Sequence, residues 1–206
     1  MEHRHPKDDK EWLRRFYQTE YAIDTHMMTK LPSDAEIVKL KENNFSSLRS
    51  YQNYLDALFK EDSGIKVVDY GCSWGYNVYK LAKSGNQVVG FEISVPRAEF
   101  GKEKLGVAIY SDTEFLPVEN DLVLSSHVIE HLDNINDFIS VSCRLLKKDG
   151  IFMAFCPNGS DPYKKREPDI WHVSWGAVHP NSLTVEFAQY AFRNNPYLIL
   201  TGDWIF

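Results

Sequence analysis

The chain has 206 residues, enough for one well-buried domain and too few for two ordinary ones. Its 43% hydrophobic and 25% charged residues are ordinary for a globular protein, and a net charge of -6 argues against a nucleic-acid partner, which needs concentrated Lys and Arg. No apolar run is long enough to span a bilayer, the polar start from Met1 to Lys7 does not read as a signal peptide, and three cysteines without CxxC spacing predict reduced thiols in a cytoplasmic protein.

Residues 8 to 60 read as helical, with Trp12, Phe16 and Tyr17, then Leu48, Tyr51, Leu55, Leu58 and Phe59, apolar at helical spacing. Pro32-Ser33 divides the segment, Ser33 serving as an N-cap and Glu36 completing a capping box. Ile65, Val67 and Val68 suit a buried parallel strand, which ends at Asp69 and a turn carrying Gly71 and Gly75. These glycines let the backbone turn tightly and approach a ligand at the mouth of a helix over 75–84, which stops at Gly85. Gln87 to Glu92 is the second strand. Glu92 lies 21 residues beyond Gly71, a spacing at which an acidic side chain takes ribose hydroxyls.

Asp69 separates two ligand classes. A dinucleotide brings its pyrophosphate to this turn, where a carboxylate repels it; S-adenosylmethionine brings an ammonium and a sulfonium, which a carboxylate favours. Neither GxGxxG nor a Walker GK[ST] sequence is present. Ser94 begins the next helix, Pro96 sits in its first turn and Gly106 ends it. Val107 to Tyr110 forms the third strand, delivering Ser111, Asp112 and Thr113 to the same edge.

Asp121 to Ser126 is the fourth strand, and Asp133 or Asn134 caps a helix bearing Ile135, Phe138, Ile139, Leu145 and Leu146 on one face. Lys147 and Lys148 are expected at its negative end, with Asp149-Gly150 turning into the fifth strand. A long loop over 157–180 comes next, carrying Trp171, His172, Trp175 and His179; the dense basic run Lys164-Lys165-Arg166 within it reads as solvated. Asn181 or Ser182 is expected to start the last helix, and Tyr197 to Gly202 to form a sixth strand. Strands alternating with helices imply an α/β fold with a doubly wound, mostly parallel sheet. Residues 1–60 form an N-terminal helical segment and 61–206 the ligand-binding domain, one structural domain overall.

Several stretches carry a family resemblance. Val67-Val-Asp-Tyr-Gly-Cys-Ser-Trp-Gly75 resembles the first motif of class I S-adenosylmethionine-dependent methyltransferases, and Val89-Gly-Phe-Glu-Ile-Ser94 their second. Asp121 to Leu132 resembles their fourth strand and the segment just after it, and Leu145 to Met153, continuing to Asn158, their fifth. Ser73 stands where many members have a third glycine. The resemblance implies a Rossmann-like methyltransferase fold, S-adenosylmethionine as cofactor and S-adenosylhomocysteine as product. It implies cofactor contacts from Asp69, Gly71, Cys72, Gly75, Glu92, Ile93, Asp112, Thr113 and Ser126, with Asp112 accepting from the adenine amino group and Thr113 beside it. Read from its own sequence, Asp112 equally suits an Asx turn leaving a strand. In such enzymes an N-terminal segment often closes over the cofactor; here Tyr17 and Tyr21 would reach in, and the alternative is a helix pair packed on the sheet edge. Members usually add a seventh, antiparallel strand; with the sequence ending at Phe206, that strand is short, absent or lost by truncation.

Methyl transfer needs alignment and sometimes a base, placed just past the fourth strand or in the loop after the fifth. His127 is the first candidate as base or substrate contact, followed by His172 and His179. His127, Glu130 and His131 also make an HxxEH string that occurs in zinc proteases, and some small-RNA 2′-O-methyltransferases place metal ligands in a similar string. The position after a buried strand counts against the protease, the acidic charge and lack of a basic face count against the RNA methyltransferase, and no metal is assigned. Trp171 and Trp175 amid Asp169, His172 and His179 suit stacking on a sugar or small ring. Gly90 to Glu99, Trp175-Gly and His179 to Leu183 also resemble methyltransferases of bacterial surface-polysaccharide clusters. The expected function is methyl transfer to an oxygen or nitrogen of a small molecule, with a saccharide as the leading candidate and without nucleic-acid or membrane partners. Two alternatives stay open: a non-catalytic S-adenosylmethionine-binding or partner-binding domain, and a metal-assisted RNA 2′-O-methyltransferase.

Overall fold

A computed structural model describes residues 2–3, 9–23, 30–59, 64–169 and 179–201. The chain divides into two compact units. The larger spans 8–126 and 136–154; the smaller gathers 1–7, 127–135 and 155–206.

The larger unit carries the sheet. Strand β1 (Glu2–His3) and helices α1 (Lys10–Gln18), α2 (Glu20–Ile23), α3 (Asp34–Glu42) and α4 (Gln52–Phe59) precede it in the chain. Then come β2 (Lys66–Tyr70), α5 (Tyr76–Lys83), β3 (Gln87–Phe91), α6 (Val95–Leu105), β4 (Ile109–Tyr110), β5 (Asn120–Ser126), α7 (Ile135–Leu145) and β6 (Leu146–Phe155). The strand order is β4-β3-β2-β5-β6, with β2 parallel to both β3 and β5, and β3 parallel to β4. The chain therefore runs outward from β2 in one direction, returns, and continues in the other. A doubly wound sheet binds ligands at that reversal, outside the carboxyl ends of its strands.

The β-branched and leucine runs of β2 and β5 explain why these strands are central. Val67, Val68, Leu122, Val123 and Leu124 are fully buried, as strands covered on both faces must be. A second cluster joins Ile37 of α3, Phe45 and Trp74, with Leu40, Leu48 and Tyr79 against it. Lys80 of α5 fastens this turn by donating to the carbonyls of Phe45 (2.9 Å) and Leu48 (2.7 Å). The Ser33–Glu36 capping box forms as the sequence predicts.

Several expected boundaries shift. Strand β4 begins at Ile109 rather than Val107. Strand β6 starts at Leu146, so Lys147, Lys148, Asp149 and Gly150 lie inside a strand and not at a helix end or turn. Lys147 pairs across to Asp121 of β5, and a side chain at Gly150 would come 2.8 Å from the Asn120 carbonyl, so the glycine serves close strand approach. Asn181 and Ser182 form β7, antiparallel to β1, instead of starting a helix; Thr184 caps the last helix, after α8 (Asp161–Arg166), which is α9 (Val185–Ala191). Tyr197 to Thr201, the described part of the expected sixth strand, form no strand. No helix among the described residues is long and apolar enough to cross a membrane.

Candidate active site

The turn after β2 is held in shape by the chain's own groups. Gly71 (φ 82°) and Gly75 (φ 77°) occupy left-handed conformations, and Ser73 (φ 52°) does too, at the position where many family members carry a third glycine. A non-glycine residue there costs on the order of 1 kcal/mol. Its hydroxyl accepts from Arg97 Nη1 at 2.9 Å, which offsets that strain.

The amides of the turn are already engaged. Those of Gly71 and Cys72 donate to the Phe91 carbonyl at 2.8 and 3.0 Å, that of Ser73 to Glu92 Oε2 at 2.9 Å, and that of Gly75 to the Cys72 carbonyl at 2.9 Å. None of these four is left for a pyrophosphate, which the Asp69 carboxylate would repel in any case. Glu92, just past β3 and 3% exposed, also accepts from Ser94 N–H at 2.8 Å through Oε1. A carboxylate has about four acceptor sites, so both oxygens keep capacity for ribose hydroxyls. Burial pushes the Glu92 carboxyl up, and the two backbone donors and Arg97 pull it down.

Asp69 is 4% exposed and accepts from Asn77 Nδ2 at 3.0 Å, while Asn77 Oδ1 is buried with no donor. Burial lifts the Asp69 carboxyl to about 6 against the Asn77 hydrogen bond. An acceptor-rich, donor-poor pocket of this kind fits a cationic amino group, so the residues present fit S-adenosylmethionine.

Arg97 is wholly buried, and no periodic signal in the sequence marks it. Its Nε and Nη2 donate to the Tyr21 carbonyl at 3.0 and 2.6 Å, and its guanidinium lies 4.0 Å from the Tyr21 ring centroid. Gln18 donates to the Ile93 carbonyl at 2.7 Å and accepts from Val95 N–H at 3.1 Å. Helices α1 and α2 are thus clasped onto the loop after Glu92.

The other predicted cofactor residues are less uniform. Cys72 is buried with its thiol pushed up by burial, and its Sγ occupies the space a side chain at Gly90 would need, so it packs inward. Ile93 is 45% exposed. Asp112 accepts from Glu114 N–H at 2.9 Å, capping the single turn Thr113–Phe115, as the Asx-turn reading expects. The Thr113 carbonyl accepts from Arg144. Ser126 bonds the Tyr51 hydroxyl, a partner supplied by the N-terminal segment. A cleft of about 500 Å³ beside β4, lined by Val95, Glu99, Lys102, Tyr110, Asp112 and Phe115, shares only Asp112 with the predicted set.

In the smaller unit, His127 has φ 55°, and its amide donates to the Phe155 carbonyl at 2.8 Å. A bulky residue held left-handed is the kind of local strain that collects at functional sites. Its Nδ1 is 3.3 Å from Oε1 of Glu130, which is 2% exposed. The His131 and His179 rings lie with centroids 4.4 Å apart, tilted by 60°. Thus His127 and His179, remote in sequence, both reach the Ile129–His131 turn. His172, Trp171 and Trp175 lie outside the described residues.

Residues 68–154 match the family model described as a methyltransferase domain. Over this stretch the chain is similar to class I S-adenosylmethionine-dependent methyltransferase domains. An uncharacterized methyltransferase of Anoxybacillus flavithermus is 33% identical over 107 residues, covering 48% of this chain and 50% of its own length. A ubiquinone biosynthesis O-methyltransferase of Pelagibacter ubique is 33% identical over 95 residues, covering 42% and 40%. The matched stretch therefore spans half or less of these relatives. The fold is similar to that of the magnesium protoporphyrin IX methyltransferase of Synechocystis with bound SAH, at TM-score 0.60 and 15% identity, covering 91% of this chain and 89% of that one.

Proposed function

We propose that the protein transfers a methyl group from S-adenosylmethionine to an oxygen or nitrogen of a small molecule. The observation that carries this reading is the turn between Asp69 and Glu92: two buried carboxylates, an orphan Asn77 carbonyl, and amides closed to a pyrophosphate. Bound S-adenosylmethionine supplies a methyl carbon already activated by its sulfonium. The chain's tasks are to hold the cofactor, exclude water and move a proton. Asp69 would take the ammonium and Glu92 the ribose hydroxyls, while Tyr21 and Gln18 hold the N-terminal helices over the neighbouring loop as the covering segment. His127 would accept the acceptor's proton, its imidazolium paired with the Glu130 carboxylate 3.3 Å away.

For the acceptor we favour a saccharide, with Trp171 and Trp175 as stacking platforms and a cytoplasmic location. The relatives named as ubiquinone biosynthesis O-methyltransferases keep an oxygen acceptor other than a sugar in view. The test is release of S-adenosylhomocysteine from S-adenosylmethionine over a panel of sugars, phenols and amines. Turnover with one class, lost in His127→Ala with cofactor affinity retained, supports the reading. A folded chain that binds the cofactor and turns over none of them belongs to the non-catalytic alternative.

A further inference from the structure

Glu130 stands out among the buried side chains: at 2% exposure, neither carboxylate oxygen accepts a hydrogen bond from the described residues. His127 Nδ1 approaches one oxygen at 3.3 Å without hydrogen-bond geometry. Leaving a buried carboxylate so poorly satisfied costs several kcal/mol, unless a cation completes it.

Two imidazoles are positioned beside it. The ligating atoms of Glu130, His131 and His179 all lie within 4.8 Å of one another. Two nitrogens and a carboxylate bound at about 2.0–2.1 Å in a tetrahedron sit roughly 3.4 Å apart, so rotamer adjustments of at most about 1.4 Å close the set. The backbone that carries them is pinned. Asn181 Nδ2 donates to the Leu132 carbonyl at 2.6 Å and to those of Ile129 and Glu130 at 3.4 Å, tying the segment just after His179 to the turn that presents Glu130 and His131. Ser182 pairs with Glu2 on β1, and the Gly159 amide donates to the carbonyl of the next residue, Leu183, at 2.7 Å.

We propose that Glu130, His131 and His179 form a binding site for a divalent first-row cation of the zinc type. Nitrogen and carboxylate donors in this ratio suit Zn²⁺, Fe²⁺ or Co²⁺ and not Mg²⁺ or Ca²⁺, which take oxygen shells. Three protein ligands leave at least one coordination position, the arrangement of catalytic and not structural metal sites. That position takes an oxygen of a small molecule; identifying this molecule with the methyl acceptor rests on the function proposed above, while the cation site itself does not. Glu130 has two oxygens, so facing His127 and ligation are compatible.

The test measures metal by mass spectrometry in the full chain as purified and after dialysis against Zn²⁺, with Co²⁺ substitution read by visible absorption. The expected result is about one equivalent and a tetrahedral Co²⁺ spectrum, with affinity at least about tenfold weaker in His131→Ala and His179→Ala. Both histidines are only half-buried, so these variants should fold, as a thermal melt checks. S-adenosylhomocysteine titrations run in parallel. Less than about a tenth of an equivalent in a folded chain that still binds S-adenosylhomocysteine overturns the cation site and leaves the methyltransferase reading standing. Equal metal binding by wild type and both variants overturns it as well.

Discussion

Two kinds of buried carboxylate occur in this molecule. Glu92 is satisfied by its own chain through the amides of Ser73 and Ser94, whereas Glu130 has no hydrogen-bond donor among the described residues, only His127 Nδ1 at 3.3 Å. The first carboxylate has a structural task whatever it binds, since it holds the glycine turn in shape. The second lacks such donors among the described residues, which is what the proposed cation site rests on. Asp69 falls between them, with one donor from Asn77 and a carboxyl raised to about 6.

The contrast can be broken first at Glu92. Glu92→Ala should weaken S-adenosylhomocysteine binding at least about 100-fold, since it removes charged hydrogen bonds worth roughly 1.5–3 kcal/mol each. Paired neutral substitutions sharpen the comparison: in urea unfolding of metal-free protein, Glu92→Gln should destabilise by about 2 kcal/mol, while Glu130→Gln should be neutral or stabilising. Destabilisation of similar size in both would erase the distinction.

Asp69 gives a pH-dependent test. Its folded value lies above its unfolded one, so the ionised form carries a burial cost at pH 7 that is relieved as pH falls through about 6 towards 4. From this group alone the ligand-free protein gains up to about 3 kcal/mol over that range. Binding an ammonium beside Asp69 should lower its pKa and release a proton near pH 6, measurable by calorimetry in buffers of different ionisation enthalpy. Asp69→Asn should abolish the proton release and weaken binding roughly tenfold. The smallest effect is expected at Ser73: Ser73→Gly relieves the φ of 52° but loses the bond to Arg97, so stability should change by less than about 1 kcal/mol in denaturant melts.

How much of this was readable in the sequence depends on range. The strand-turn-helix from Ile65 to Lys83 and the acid at Glu92 were legible because each residue's task is local: β-branched residues for a buried strand, glycine for positive φ, a carboxylate at a strand tip. Arg97 was not legible, because its burial depends on Tyr21, far off in the chain. Asn77 gave no sign beyond lying two residues after Gly75. The closeness of His179 to Glu130 depends on Asn181 reaching the turn around His131, a contact without local periodicity. Asn181-Ser182 passed for a helix start because polar residues before an amphipathic run suit a cap, and only pairing with Glu2-His3 makes them a strand.

Whether the Asp69–Glu92 turn holds S-adenosylmethionine is tested most directly by calorimetric titration of the purified chain with S-adenosylhomocysteine, with NAD as control and repeated on Glu92→Ala. Binding by the wild-type chain, its collapse in the variant, and no binding of NAD are expected. Absence of S-adenosylhomocysteine binding by a demonstrably folded chain, or comparable binding of NAD, would contradict that assignment.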